Sequence, residues 1–395
     1  MLVSGDCRTG NGAVSLADRE TDVMANVMAD VHLKTADSEN RLTGQALNLC
    51  HGGDLYTASQ QFGTPVEDWI DLSTGINPQY YPVPAFNSQA YQALPYLRPE
   101  LDEAVRRYYA DRPYQLASGS QPIIQFLPEV LENMPVLLPD FGYQEHRQHW
   151  QQYGAELRYY PALDQVSARL AIEQALEQAE SDGDRFHLLV INPNNPTGLT
   201  FSPQQLADWA ERLAPGAQLI VDEAFVDLHP EQSVLGDCFR PNMLVLRSFG
   251  KFFGLAGIRL GAIFGSETVM QGLADLLGPW PVNGPAQTVA IAALNDIQWQ
   301  QQARADIAAN AELTEALLQP VLEAYDAQPF CREQLFACHR LATSAAYSLY
   351  QGLAERGILV RLIDLHDGTM LLRTGIINAL DSGTALQLQT RLETI

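Results

Sequence analysis

A chain of 395 residues that is 46% hydrophobic and 18% charged can bury a large core, and its length fits two domains or one large domain with an appendage. The formal net charge of -23 opposes nucleic acid and anionic membranes, so the expected partners are small molecules, with any anion held by local arginines and backbone amides. No apolar run reaches the roughly 18 residues a membrane span needs. The amino terminus lacks the basic start and apolar middle of a signal peptide, and the cytoplasm is the expected location.

Residues 1–46 are polar without a sustained period; only "ADRETDVMANVMADVHL" (17–33) resembles a short helix, and the segment reads as a mobile extension. Regular folding is expected from Leu47, where "LNLCHGGDLYTASQQFG" and "DWIDLSTGINPQYYPVP" alternate turn formers with short apolar runs. Residues 47–95 read as an N-terminal arm and part of a small domain, and "PELDEAVRRYYA" (99–110) as a helix with a proline start. Within 96–285 the apolar runs "MPVLLPD", "FHLLVINP", "AQLIVDEAF", "NMLVLRSF" and "LGAIFG" predict buried strands. Between them "SARLAIEQALEQAE" and "SPQQLADWAERLA" predict helices with Ser or Pro starts. Such alternation implies an α/β large domain with a mostly parallel sheet covered on both faces. Residues 286–395 read as a smaller α+β C-terminal domain, helical first, with strands at "GILVRLI" and "TMLLRTGI".

The five cysteines, Cys7, Cys50, Cys238, Cys331 and Cys338, are an odd, scattered set without a C-x-x-C pair, which argues against a disulfide framework and a metal site alike. Lysine is rarer still: of 24 Lys and Arg residues, only Lys34 and Lys251 are lysines. A lysine kept among Phe249, Phe252 and Phe253 is a candidate for amine chemistry that an always-protonated guanidinium cannot perform.

In an open parallel sheet, ligands sit beyond the carboxyl ends of the strands. "NPNNPTG" (192–198), "DEAF" (222–225) and "RSFGK" (247–251) each follow an apolar run, so three strand ends carry Asn195, Asp222 and Lys251. Singly, Asn195 fits a turn and Asp222 a helix cap; together and in order they point to one site.

These motifs, with the continuation "RSFGKFFGLAGIRLG", resemble the pyridoxal-phosphate enzymes of fold type I, in the branch holding histidinol-phosphate aminotransferases and threonine-phosphate decarboxylases. "HGGD" (51–54), "DLSTGINP" (71–78) and "LGPWPVNGPA" (277–286) are most similar to the decarboxylases of cobalamin biosynthesis. The resemblance runs from about Leu47 to the carboxyl end and implies a seven-stranded large domain, a homodimer with shared active sites and pyridoxal 5'-phosphate as cofactor. The implied reaction is decarboxylation of L-threonine O-3-phosphate to (R)-1-aminopropan-2-yl phosphate. The alternative is a histidinol-phosphate-type aminotransferase.

By the same resemblance, Lys251 forms the Schiff base, Asp222 faces the pyridine nitrogen, and Asn195 donates to the ring's phenolate oxygen. Tyr143 stacks on the ring, with Phe141 as the alternative. Ser120 and Gln121 at a helix start, with Ser248 and Arg259, cradle the cofactor phosphate. Arg373 takes the substrate carboxylate, while His51, Gly52, Asn77 and Arg361 hold the substrate phosphate or close over it. Tyr96 resembles the tyrosine that aminotransferases lend to the neighbouring subunit. Phe225 stands where aminotransferases commonly carry a tyrosine, which favours the decarboxylases.

Overall fold

The protein's structure, a computed structural model, describes residues 51–85 and 88–395, so the helix expected at 17–33 lies outside the described residues. Strand β1 is Ile70–Asp71. A seven-stranded sheet follows, made of β2 (Tyr114–Ala117), β3 (Val136–Pro139), β4 (Leu157–Tyr160), β5 (His187–Ile191), β6 (Leu219–Asp222), β7 (Met243–Ser248) and β8 (Gly261–Phe264), in the order β2-β8-β7-β6-β5-β3-β4. The block from β7 to β4 is parallel, and β8 alone is reversed, antiparallel to both β7 and β2. This is the mostly parallel α/β sheet expected from the sequence.

Alternate residues of the strands feed two cores. Along β5, Leu188 and Val190 join a cluster with the helices Pro99–Tyr108, Gln165–Asp182 and Pro203–Arg212. Leu189 and Ile191 point the other way, into a cluster with the helices Gln121–Val130, Gln144–Tyr153 and Glu267–Leu277. Both faces are therefore dry, which is why the central strands are apolar without alternation. The edge strands β2 "YQLA" and β4 "LRYY" are only partly buried, and their mixed composition gave no clean apolar run. The helix Gln165–Asp182 starts before the serine expected to open it: Asp164 is the cap, its carboxylate accepting from the Ser167 amide at 2.8 Å.

The helical layer over the large sheet continues past residue 285. The helix Gly284–Asn295 buries Ala286, Val289, Ala290 and Ala293 in the same core as β5. The next helix, Ile297–Ala324, gives Ala303 and Ile307 to that core and Leu318, Val321 and Leu322 to the core of the small domain. The small domain is built on β9 (Gln328–Glu333), β10 (Phe336–Ala342), β12 (Arg361–Asp364) and β13 (Thr369–Thr374), an antiparallel sheet in the order β12-β13-β10-β9. The run "GILVRLI" divides into β11 (Ile358–Leu359) and β12, and β11 pairs in parallel with β1, tying the N-terminal segment to the small domain. Among the described residues no helix is long and apolar enough to cross a membrane.

Candidate active site

A cleft of about 430 Å³ opens at the carboxyl ends of β5, β6 and β7, and Asn195, Asp222, Ser248 and Lys251 all line it. Parallel packing brings these strand ends side by side, as Ile191 pairs with Asp222 and Asp222 with Leu246. Ser248 ends β7, and the single helical turn Phe249–Phe252 lifts Lys251 over the cleft. Phe249 and Phe252 are buried beneath it, so the turn is anchored by its aromatics.

Lys251 is enclosed except toward the cleft. Burial first, and the charge of Arg373 second, lower its ammonium pKa to about 8 against the opposing pull of Asp222. A neutral amine is thus accessible near neutral pH. The Lys251 Nζ lies 5.5 Å from the centroid of the Phe225 ring, which offers a π face where a tyrosine would offer a hydroxyl.

The Asp222 carboxylate is held on both oxygens: Oδ2 lies 2.9 Å from His146 Nε2, and Oδ1 accepts from the Ala224 amide at 3.0 Å. His146 was not among the residues picked from sequence. Its position three residues after Tyr143, on the same face of the helix Gln144–Tyr153, was the available signal. Tyr143, not Phe141, faces the cleft, and its hydroxyl donates to Gln121 Oε1 at 3.2 Å. Phe141 instead packs against the large core.

At the opposite end of the cleft, Gly119, Ser120 and Gln121 form the loop and start of the helix Gln121–Val130. Ser120 makes no side-chain cap for its own helix. Gly119 has a φ of 88°, and a methyl group added there would overlap the guanidinium of Arg259. Arg259 spans the gap, donating to the carbonyls of Ala256 at 3.2 Å and Ser118 at 3.5 Å. Backbone amides at a helix N-terminus, two serines and an arginine are the donors a phosphate monoester requires.

Arg373 reaches Asn195 from the small sheet. Its Nη1 donates to Asn195 Oδ1 at 2.7 Å, which occupies the amide oxygen, and its Nη2 donates to the Ser73 carbonyl. Burial, then the neighbouring charge of Arg361, brings this guanidinium down to about 10. Arg361 is directly opposite Arg373 across β12 and β13. The His51–Gly53 segment is moored on the same loop: a side chain at Gly52 would overlap the Ser73 carbonyl, and the Gly53 amide donates to Ser73 Oγ at 2.7 Å. His51 lines the cleft with its Nε2 at 2.9 Å from Glu145 Oε1. The other oxygen of Glu145 meets His149 Nε2 at 3.1 Å and the Gln121 amide. Glu145 and His149 were not picked from sequence either.

Asn77 is placed differently from the expectation. Its Nδ2 donates to the Phe252 carbonyl at 3.0 Å and its backbone amide to the Lys251 carbonyl at 3.0 Å, so the side chain is committed to bracing the lysine turn. Tyr96 is exposed and packs edge-on against Trp280, with ring centroids 5.8 Å apart.

Residues 56–374 match the family of class I and II aminotransferases. The chain belongs to that family. Its members are pyridoxal-phosphate enzymes, and the lysine, the buried carboxylate, the tyrosine ring and the cluster of helix-end amides, serines and arginine in the cleft fit that cofactor. Within the family, the chain is 41% identical to the threonine-phosphate decarboxylase of Pseudomonas aeruginosa over 315 residues, which is 79% of this chain and 89% of that one. It is 30% identical to histidinol-phosphate aminotransferase 1 of Bradyrhizobium diazoefficiens over 308 residues, covering 74% of this chain and 83% of the relative. The fold is also that of the histidinol-phosphate aminotransferase of Sinorhizobium meliloti solved in complex with pyridoxal-5'-phosphate. That likeness has a TM-score of 0.70 at 18% identity and covers 91% of this chain and 99% of the other.

Proposed function

We propose that this protein is a pyridoxal-phosphate-dependent decarboxylase of L-threonine O-3-phosphate, releasing CO2 and (R)-1-aminopropan-2-yl phosphate for cobalamin assembly, and that it works as a cytoplasmic homodimer. The observation that carries this reading is the 41% identity to a threonine-phosphate decarboxylase across 89% of its length. The absence of a hydroxyl at Phe225 supports it, and exposed Tyr91 and Tyr96 support a partner subunit.

Bound pyridoxal phosphate supplies the electron sink that makes bond cleavage at Cα feasible. Lys251 anchors it covalently, because the lowered pKa leaves a usable fraction of its Nζ neutral. Asp222, with His146 behind it, presents a fixed carboxylate to the ring nitrogen. Since Arg373 occupies Asn195 Oδ1, the Asn195 amide keeps its Nδ2 protons for an acceptor in the cleft. Ser120, Gln121, Ser248 and Arg259 hold the cofactor phosphate. Arg373 would orient the substrate carboxylate so that its bond to Cα is the one that breaks, and Arg361, opposite Arg373 across the strands, would help hold the substrate phosphate. His51 takes the substrate phosphate while Gly52 keeps that segment close to the Ser73 loop, and Lys251 Nζ then returns a proton to Cα. Asn77 serves this reaction through the lysine turn it braces.

The test is to incubate the purified protein and pyridoxal phosphate with L-threonine O-3-phosphate and measure CO2. Stoichiometric release is expected. No release, together with 2-oxoglutarate-dependent consumption of histidinol phosphate, would make it an aminotransferase instead.

A further inference from the structure

One rung of the small sheet crosses all four strands, beside a register shift of β9 against β10 that begins just after it. Arg361 on β12 is paired with Arg373 on β13, Arg373 with Cys338 on β10, and Cys338 with Cys331 on β9. Directly opposed residues of an antiparallel sheet project from the same face, so the two arginines of the proposed substrate site and two thiols form a single row. Both thiols are free, and both donate to one acceptor, the Pro196 carbonyl, at 3.3 Å from Cys331 Sγ and 3.0 Å from Cys338 Sγ. Pro196 follows Asn195, the residue that Arg373 grips. The loop lies flush on this pair, since a side chain at Gly198 would run into Cys331 Cβ.

We propose that Cys331 and Cys338 are a modification site, a dithiol that a hydroperoxide converts to a disulfide and a small-molecule thiol reduces back, the disulfide loosening Asn195 and Arg373 and so weakening the site. Cα atoms opposed in an antiparallel pair are about 4.5–5.5 Å apart, within the roughly 4.4–6.8 Å that a disulfide spans. The two thiols also differ in access. Cys331 is partly exposed and Cys338 is buried, so the peroxide meets Cys331 first. Burial holds the Cys338 thiol pKa well above its ordinary value, which keeps its proton on sulfur for the Pro196 carbonyl in the reduced state.

The oxidation closes without another reagent. Cys331 Sγ attacks the peroxide, forming an S–O bond as the O–O bond breaks and an alcohol, or water from hydrogen peroxide, departs. Cys338 Sγ then attacks the Cys331 sulfur, forming the S–S bond and breaking S–O, and the hydroxyl leaves as water with the Cys338 proton. The thiols lose two electrons and the peroxide gains them. Without S–H groups, neither sulfur can donate to Pro196.

Trypsin cuts after Arg332, between the two cysteines, so residues 305–332 and 333–340 become separate peptides that only a disulfide can join. Holoenzyme is treated with hydrogen peroxide, alkylated and digested. The expected result is the linked pair, abolished by dithiothreitol and by C331S but retained in C238S. KM for threonine phosphate should rise by roughly tenfold in parallel, the factor expected when a charge-assisted contact is weakened, and the cofactor's absorbance should respond. Peptides recovered unlinked would overturn the proposal, as would a link that leaves both KM and absorbance unchanged. The activity arm rests on the proposed decarboxylation. Linkage and absorbance are read without substrate, so failure of that reading leaves them standing.

Discussion

His146 Nε2 lies 2.9 Å from Asp222 Oδ2, and both side chains are almost completely withdrawn from solvent. The carboxylate that faces the cleft is therefore fixed from behind by an imidazole, with the Ala224 amide on its second oxygen. Replacing His146 by Phe leaves one buried carboxylate oxygen without its partner. A lost hydrogen bond to a charged group costs about 1.5–3 kcal/mol, so kcat/KM and cofactor affinity should fall by roughly 10- to 100-fold. His146→Gln, which keeps a donor, should recover part of the loss. Steady-state rates and absorbance titration with pyridoxal phosphate measure both; an unchanged His146→Phe enzyme would remove His146 from the site.

Lys251 sets a pH dependence of known sign. Its pKa is lowered in the folded protein to about 8, so between there and its ordinary value near 10.5 the unfolded chain binds the proton more tightly. Stability of the cofactor-stripped protein should rise with pH across that window, and the penalty, roughly 3 kcal/mol, is fully present below pH 8. Lys251→Met should accordingly raise the melting temperature of the stripped protein at pH 7 while abolishing turnover. In the native protein, the rate of cofactor capture followed by absorbance should climb with pH and level off near 8. A flat profile would show that the amine is already neutral at the bottom of the range.

Gly119 makes a discriminating test of the phosphate cradle. Alanine there must both hold a left-handed backbone and displace the Arg259 guanidinium. Pyridoxal phosphate should bind roughly 10- to 100-fold more weakly to Gly119→Ala, the range for losing a hydrogen bond to a charged group. Pyridoxal, which has no phosphate, should bind as before. Equal losses for both ligands would mean that the substitution damages the fold, not the cradle.

What the sequence disclosed follows from what is local. The ends of β5, β6 and β7 were legible because each is a short apolar run that stops at a polar residue, and parallel pairing then places Asn195, Asp222 and Lys251 together. His146 escaped because its partner, Asp222, is 76 residues away, and nothing within the helix Gln144–Tyr153 distinguishes it from His149 three positions later. The row from Arg361 to Cys331 escaped for a related reason: cross-strand register is a property of pairing, and the cysteines looked scattered until β9 and β10 put them opposite each other. Asn77 shows the converse, a motif residue whose side chain turns to the backbone of the lysine turn.

The helix Ile297–Ala324 has a mechanical consequence. Ile307 is packed under the large sheet and Leu318 under the small one, and at about 1.5 Å per residue these anchor points share one continuous rod. The two halves of the molecule are thus geared together, and neither can melt without stripping the other of part of its support. Calorimetry should record one cooperative transition for both. Any swing of the small sheet over the cleft must bend the rod, and the interior Pro320, which breaks the ladder of helical hydrogen bonds, is the place where it yields.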